Sequence, residues 1–465
     1  MLSNLKAESN EMRIDSEYFQ KKYIDIYDKL KDSIDFSSIM SMSDVSSNGS
    51  FAKVKSILND NNDNIIPYIR SSDVGDYFID LEDTARISQE AHNQLKLSTT
   101  KKLDIIMARK GKIGGASIVL DNEVDCNCNE NVIKLTIDDK DQYNPYYILA
   151  FLNSKYGIEQ TNRISTGNVQ PWISIYQIRK MKLIKLSKRF QLEIEKIIKE
   201  AYNFRNRYKE EYKSAEFIIR ENLKIDYILS FNKNKCEKSF VESLKKYNRL
   251  DSEFFDEKYD VLDKVINEFE WKKLGEFVDI FKSIEPGSDS YIEEGIPFIR
   301  ISNFSKFGIK LGNVYLDNNK YNVEELKPIK DTILLSKDGT IGIAYKVDDD
   351  ANFITSSAIL HLKNKDTNIN NNYLTLLLNS EIVKLQAERS SGGSIIKHWR
   401  ISDIRNVKIP ILNYDIQNLI DFKIKNSFKL RKRSNYLLKL ASKCVEIAIE
   451  NDENKALEYL CEKLK

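Results

Sequence analysis

Five segments of this sequence occur twice, in the same order, and that ordered repetition limits the folds open to the chain more than any other feature. RIDSEYFQKKY at Arg13–Tyr23 returns as RLDSEFFDEKY at Arg249–Tyr259, and IPYIR at Ile66–Arg70 returns as IPFIR at Ile296–Arg300. DIIMARKGKIG, from Asp104, returns as TILLSKDGTIG, from Thr332. YILAFLNSKYGIEQTNRISTGN from Tyr147 is followed later by YLTLLLNSEIVKLQAERSSGGS from Tyr373, and QIRKMKLIKL at Gln177–Leu186 by DIRNVKIPIL at Asp403–Leu412. The offset drifts from 236 to 226 residues, so order is kept while loops change length. The chain is a tandem duplication, and its architecture has to be built twice.

Each copy has two parts. In the first, short apolar runs with Gly punctuation (DIIMARK, NVIKLTI, TILLSKD, AILHLK) read as strands, and NPYYILAFLNS reads as a short helix after them. In the second, Arg189 to about Leu223 contains neither Gly nor Pro. Its apolar or aromatic residues fall at Ile194, Ile197, Ala201, Phe204, Tyr208, Ala215 and Ile218, a three-and-four spacing interrupted at Glu211. The second copy repeats the phase with Ile420, Ser427, Leu430, Leu437, Ala441, Cys444 and Ala448. A helix of ~35 residues spans roughly 50 Å, and such a seam needs a partner. The expected partner is its own copy, packed antiparallel about a pseudo-two-fold axis, with Ile194, Ile197, Ala201 and Phe204 facing Leu437, Ala441 and Cys444. The expected class is α+β: two mixed α/β domains at 1–187 and 249–413, separated by long helices at 188–248 and 414–465.

With 465 residues the chain exceeds the roughly 100–200 typical of one domain. Its 72 Lys and Arg against 70 Asp and Glu leave a formal charge of +2, so any polyanion-binding surface is local. Cys126, Cys128, Cys236, Cys444 and Cys461 form an odd, scattered set, read as reduced cytosolic thiols. Cys126 and Cys128 lack a partner pair at zinc spacing, so no metal is expected. The first residues have no apolar core for a signal peptide, and no run approaches ~18 apolar residues. A soluble, cytoplasmic protein without membrane contact is expected.

Catalytic patterns do not stand out. The loops ARKGKIGGASIV (Ala108–Val119) and SKDGTIGIAYKV (Ser336–Val347) run from a turn into a strand. They therefore read as hairpin turns in which Gly supplies φ > 0, not as a phosphate loop opening a helix. Even so, Arg109, Lys110, Lys112, Lys337 and Thr340 flank them and can meet a polyanion. NPYY at Asn144 lacks the second proline of a [DN]-P-P-[YF] amine-holding loop and reads as a helix start. His92, His361 and His398 share no motif with one another, and neither Ser/His/Asp nor zinc-peptidase chemistry has support. RISTGNVQPWISIYQIR and RSSGGSIIKHWRISDIR each place a Gly-rich polar loop ahead of a Trp, with Arg at both ends. Trp172 and Trp399 correspond there with a one-residue slip. A loop of this kind either shelters a structural Trp or carries groups that reach base edges and phosphates. The basic run KLRKR at Lys429–Arg433 reads as a solvated helix face or a partner-facing one.

The duplicated order [IV]-P-[YF]-[IV]-R, D-I-[IL]-[LM]-x-[RK]-x-G-x-I-G, S-[ST]-G-[GN]-x₃–₄-W and long helix resembles the specificity subunit of type I restriction-modification systems, over essentially the whole chain. The resemblance implies two target recognition domains, each reading half of a split site in double-stranded DNA. It implies helical spacers that hold two modification subunits, and these would carry S-adenosylmethionine and the catalytic residues. Restriction-translocase subunits would join for cleavage, and this chain would itself be non-catalytic, with no cofactor. The segments GDYFIDLEDTARISQEAHNQLKLSTT and SKFGIKLGNVYLDNNKYNVEELKPIK differ, so the two half-sites are expected to differ. Candidate DNA contacts are Arg70, Arg109, Lys110, Lys112, Arg163, Asn168, Gln170 and Trp172 in the first domain. Those in the second are Arg300, Lys337, Thr340, Arg389, Ser394, Lys397, His398 and Trp399. Two other readings stay open: a helical scaffold with adhesion-like β domains, and the recognition tail of a combined methyltransferase-endonuclease. The chain opens directly on its first repeat, which leaves no room for a catalytic domain ahead of it.

Overall fold

In the computed structural model, residues 15–30, 33–58, 64–111, 113–167, 170–231, 239–247, 252–390 and 398–464 are described. The chain divides into two compact units, Met1–Phe204 with Lys432–Lys465, and Arg205–Arg431.

The first unit centres on a five-stranded sheet in the order Met40–Ser43, Val132–Ile137, Ile105–Ala108, Ser117–Ile118, Tyr77–Phe78. Ile105–Ala108 is buried along its whole length, which is why its sequence runs apolar without alternation. A three-stranded sheet joins Ala85–Ser88, Asn64–Ile69 and Asn127–Cys128, the last pair parallel. The expected NPYY helix is Pro145–Leu152, all eight residues buried. The Asn144 side chain accepts from the Tyr146 N–H at its start, and Pro at the first helical position has no N–H to leave unmet. A second helix, Lys155–Ile164, follows.

The second unit repeats this scheme. Val278–Lys282, Ile359–Asn364, Ile333–Ser336 and Ala344–Lys346 form an antiparallel sheet, and Tyr315–Leu316, Ile296–Ile299 and Ile354–Thr355 a second one. Helices Asn371–Leu378 and Glu381–Ser390 stand where Pro145–Leu152 and Lys155–Ile164 stand in the first. Its scaffold hydrogen bonds recur at an offset of 226. The Tyr147 hydroxyl donates to the Ile184 carbonyl and that of Tyr373 to the Pro410 carbonyl. Gln160 exchanges two bonds with the Lys182 backbone, and Gln386 with that of Lys408.

Both glycine loops are hairpin connections, as read from the sequence: Ile105–Ala108 pairs antiparallel with Ser117–Ile118, and Ile333–Ser336 with Ala344–Lys346. Gly115 shows why the residue is needed there. It has φ +78°, and a Cβ would stand 3.0 Å from the Asn153 Oδ1 that accepts the Ala116 N–H.

The helices Lys188–Asn222 and Tyr414–Glu450 match the Gly- and Pro-free stretches. Within the first unit, Ile194, Ile197 and Ala201 share a core with Leu437, Ala441 and Cys444, all 3% exposed or less, and Phe204 packs against it partly buried. The Ser434 hydroxyl donates to the Ala201 carbonyl at 2.7 Å. Within the second, the Ser427 hydroxyl reaches the Tyr208 carbonyl at 2.8 Å and Lys423 pairs with Glu211 at 3.2 Å. Partner numbers fall on one helix as they rise on the other, so the pair is antiparallel. The short helix Glu453–Leu464 returns along the first unit, burying Ala456 and Leu460. No helix among the described residues is long and apolar enough to cross a membrane.

Candidate nucleic-acid interface

The Trp-bearing loop of each copy lies along the hairpin that carries the glycine loop, and backbone hydrogen bonds fix its register. In the first unit the Ile173 N–H donates to the Arg109 carbonyl at 3.0 Å, and Lys110 bridges Trp172. In the second the Trp399 N–H donates to the Lys337 carbonyl at 2.8 Å, and Asp338 bridges His398. The one-residue slip is thus a real difference. Ile173 corresponds to Trp399, and Trp172 corresponds to His398. Ile173 and Trp399 are both core residues, 0% and 1% exposed. Trp172 is half-buried and His398 is exposed.

Several residues singled out from the sequence therefore have structural duties. The buried Trp399 donates its indole N–H to Ser390 Oγ at 3.1 Å, so its ring has no surface left for DNA. Arg163, 7% exposed, donates to the Tyr18 carbonyl and lies over the Tyr18 ring at 4.4 Å and the Tyr27 ring at 5.1 Å. Arg389 does the same work in the second unit. It lies over Phe254 at 4.7 Å and Tyr259 at 5.4 Å, and bonds Asp263 at 2.8 Å. Tyr18 and Phe254 are equivalent positions of the first repeated motif, so these two arginines tie the first motif to the fourth in each copy. Packed against aromatic rings, both act as clamps within the scaffold, contrary to the expectation of DNA contacts.

The remaining candidates sit on the surface or at its edge. Arg109 bonds the buried Asp44 at 2.5 Å and the Ile173 carbonyl at 3.2 Å, with Trp172 4.9 Å from its guanidinium. It is a positioning residue that holds the Trp172 ring at the rim. Lys110 is half-buried, Gln170 and Thr340 exposed. Arg70 pairs with Asp73 and donates to the Asp83 carbonyl, whereas the place of Asp73 is taken by the neutral Asn303, whose Oδ1 accepts the Arg300 backbone N–H. Lys337 and the His398 Nδ1 both bind Asp338. Burial disfavours the charged Asp338 carboxylate, yet the bonds from Lys337 and His398 win and hold it below the usual range. Lys112, Asn168, Ser394 and Lys397 lie outside the described residues. Asp44, Asp338, Lys282 and Arg400, which shape this surface, were missed. An acidic residue set one strand away carries no local signal.

Burial pushes the Cys126 and Cys128 thiols up to about 12, and their neighbourhood holds no cluster of metal-ligand residues among those described. A buried Lys or His recurs at one position of the equivalent strands Val132–Ile137 and Ile359–Asn364. Lys134 donates to the Thr99 carbonyl at 2.6 Å, and the corresponding His361 lies 2.8 Å from Thr355 Oγ1.

Residues 266–439 match the family model described as "Type I restriction modification DNA specificity domain". Over that span the chain is similar to a type I restriction-modification specificity domain. The matched span covers most of the second copy, from the end of the helix Glu257–Ile266 into the long helix Tyr414–Glu450. Among solved structures, the chain is similar to the type I restriction-modification system S subunit from M. genitalium. That match has 14% identity, covers 92% of this chain and 95% of that one, and gives a TM-score of 0.36. It is similar also to the HsdS subunit from Thermoanaerobacter tengcongensis, at 12% identity, 90% and 96% coverage and a TM-score of 0.28. The type IIG restriction endonuclease BpuSI matches at 12% identity over 44% of this chain and 35% of its own, with a TM-score of 0.29. No curated protein matches.

Proposed function

We propose that this protein is the sequence-reading subunit of a type I restriction-modification complex, with each of its two units recognising one half of a split, asymmetric site in double-stranded DNA. The observation that carries this reading is that scaffold hydrogen bonds of the specificity domain, matched in the second copy, recur at equivalent places in the first, while the loops laid on it differ. Shared scaffold with divergent rims is what two readers of different sequences need. Base-edge contact falls to Trp172, Gln170 and Lys110 in the first unit and to His398 and Thr340 in the second. Arg70, Arg300 and Lys337 hold phosphates. Lys112, Asn168, Ser394 and Lys397 extend the same loops. The chain supplies no catalytic group. Two modification subunits bring S-adenosylmethionine and the methyl-transfer residues, and restriction-translocase subunits join them.

At the offset of 226, Ala201 corresponds to Ser427 and Tyr208 to Ser434. Ala201 meets Ser434 within the first unit and Tyr208 meets Ser427 within the second, so the same pair of seam positions is bonded in each.

Methylation mapping of a host with and without this chain tests the reading. The expected result is one bipartite, non-palindromic motif whose modification depends on the chain. Purified chain incubated with labelled methyl donor and genomic DNA is expected to incorporate nothing. Incorporation by the chain alone, or no chain-dependent motif in the presence of its modification subunits, would sink the proposal.

A further inference from the structure

Beside His398 the second unit has an open cleft of about 230 Å³, lined by Lys282, Lys337, Asp338, His398, Trp399, Arg400 and Ile401. Its two exposed cations come from different elements. Lys282 ends the edge strand Val278–Lys282, and Arg400 follows the buried Trp399. Lys337 and His398 are drawn together on Asp338, which leaves that single carboxylate shared between two partners. Among the described residues no ion pair joins Lys282 or Arg400 to a carboxylate. Three cations and a histidine against one acid, around a cleft that admits a tetrahedral oxyanion, is a phosphate-binding composition.

Among the described residues, the equivalent positions of the first unit are filled differently. By strand register, Ser43 opposite Lys134 corresponds to Phe281 opposite His361, so the next residue, Asp44, occupies the place of Lys282. Asp44 is buried and consumed by Arg109. Ser174 occupies the place of Arg400, one residue after the Ile173 that corresponds to Trp399.

We infer that Lys282 and Arg400 clamp one phosphodiester of the DNA backbone within the half-site read by the second unit, a contact without counterpart in the first. This rests on the DNA-reading function proposed above. The clamp grips charge and not base identity, with Lys337, paired to Asp338, as a further cation lining the same cleft.

The test is binding of full-length protein, with its modification subunits, to duplexes carrying the mapped motif over a series of salt concentrations. Lys282→Ala and Arg400→Ala are each expected to lower the slope of log K against log salt by about 0.9. They should weaken every sequence by the same factor and leave the thermal midpoint of the protein unchanged. Lys282→Arg should restore the slope, and Ser174→Ala in the first unit should leave it alone. A single neutral methylphosphonate linkage at the clamped position should abolish the effect of both Ala variants. If wild-type complex binds with slopes the Ala variants reproduce, or if those variants relax a base preference at unchanged slope, the clamp is wrong and the DNA-reading function stands. If wild-type complex binds no duplex, both fall.

Discussion

At the scale of single residues, His361 offers a sharp stability test. Burial first, and the neighbouring Lys363 charge second, push its pKa down to about 4 from an ordinary 6.5. Its ring meets the Thr355 hydroxyl at 2.8 Å. Between those two values the unfolded chain binds a proton that the folded one refuses. The stability is therefore complete above pH 6.5 and is lost as pH falls toward 4, by up to about 3 kcal/mol. His361→Gln keeps a polar partner for Thr355 and should flatten this part of the profile. Equal losses of denaturant midpoint between pH 7 and pH 4.5 in variant and wild type would refute the assignment. The two tryptophans make a complementary pair. Trp399→Phe removes the bond to Ser390 and leaves a void, costing roughly 1–3 kcal/mol while leaving the recognised DNA motif unchanged. Trp172→Ala should cost little stability, because the ring is half-exposed, and should relax a base in the first half-site only. Unfolding curves and methylation maps of the two variants distinguish core from rim.

At the scale of elements, the long helices are held by small residues as well as large ones. Ala201 and Ala441 are fully buried, and Ser427 and Ser434 are short enough to let the facing backbone come within hydrogen-bond reach. Ala441→Leu forces extra methylenes into this seam and should destabilise by about 1–3 kcal/mol. Lys439→Leu, on the exposed side of the same helix, should shift stability by less than about 0.5 kcal/mol. Urea midpoints that rank the two variants the other way would contradict the packing. The interruption of the apolar phase at Glu211, visible in the sequence, is met by Lys423 across the seam. The a-and-d spacing located the stripe but could not name that ion pair, because the partner lies more than two hundred residues away.

At the scale of the whole molecule, the duplication predicts that one half can substitute for the other. A fragment ending near Asn248 would expose its seam, unfavourably at roughly 25 cal/mol per Å² of apolar surface. It would also lack Leu437, Ala441, Cys444 and Val445, which complete the first core. A second copy of the fragment could supply Ala215, Ile218 and Ile219 at the places of Ala441, Cys444 and Val445. A two-fold dimer is expected, one that directs methylation of a palindromic split site built from the first half-site. Glu211 would then fall at the place of Leu437, and its Lys423 would be replaced by Ile197, so a carboxylate would face an apolar surface. Glu211→Leu in the fragment should tighten the dimer by roughly tenfold or more. Sedimentation of both fragments and mapping of the modified bases check this. A monomeric Glu211→Leu fragment, or a dimer that marks the asymmetric site, would refute the two-fold seam.

The sequence alone determined that the architecture is built twice, that each copy holds short strands and ends in a helix of about 35 residues, and that the glycine loops are hairpin turns. These are local properties: periodicity, Gly placement and the absence of helix breakers act over a few residues and survive in any environment. What only the tertiary structure decided is which side chains of the Trp loops face outward. That loop pairs with a strand some sixty residues away, and the backbone bonds Ile173–Arg109 and Trp399–Lys337 set the register. A shift of one residue there turns a tryptophan from rim to core. Arg163 and Arg389 read as polyanion contacts for the same reason: the rings of Tyr18 and Phe254 that bury them come from the far end of each copy, and only the folded chain brings them together.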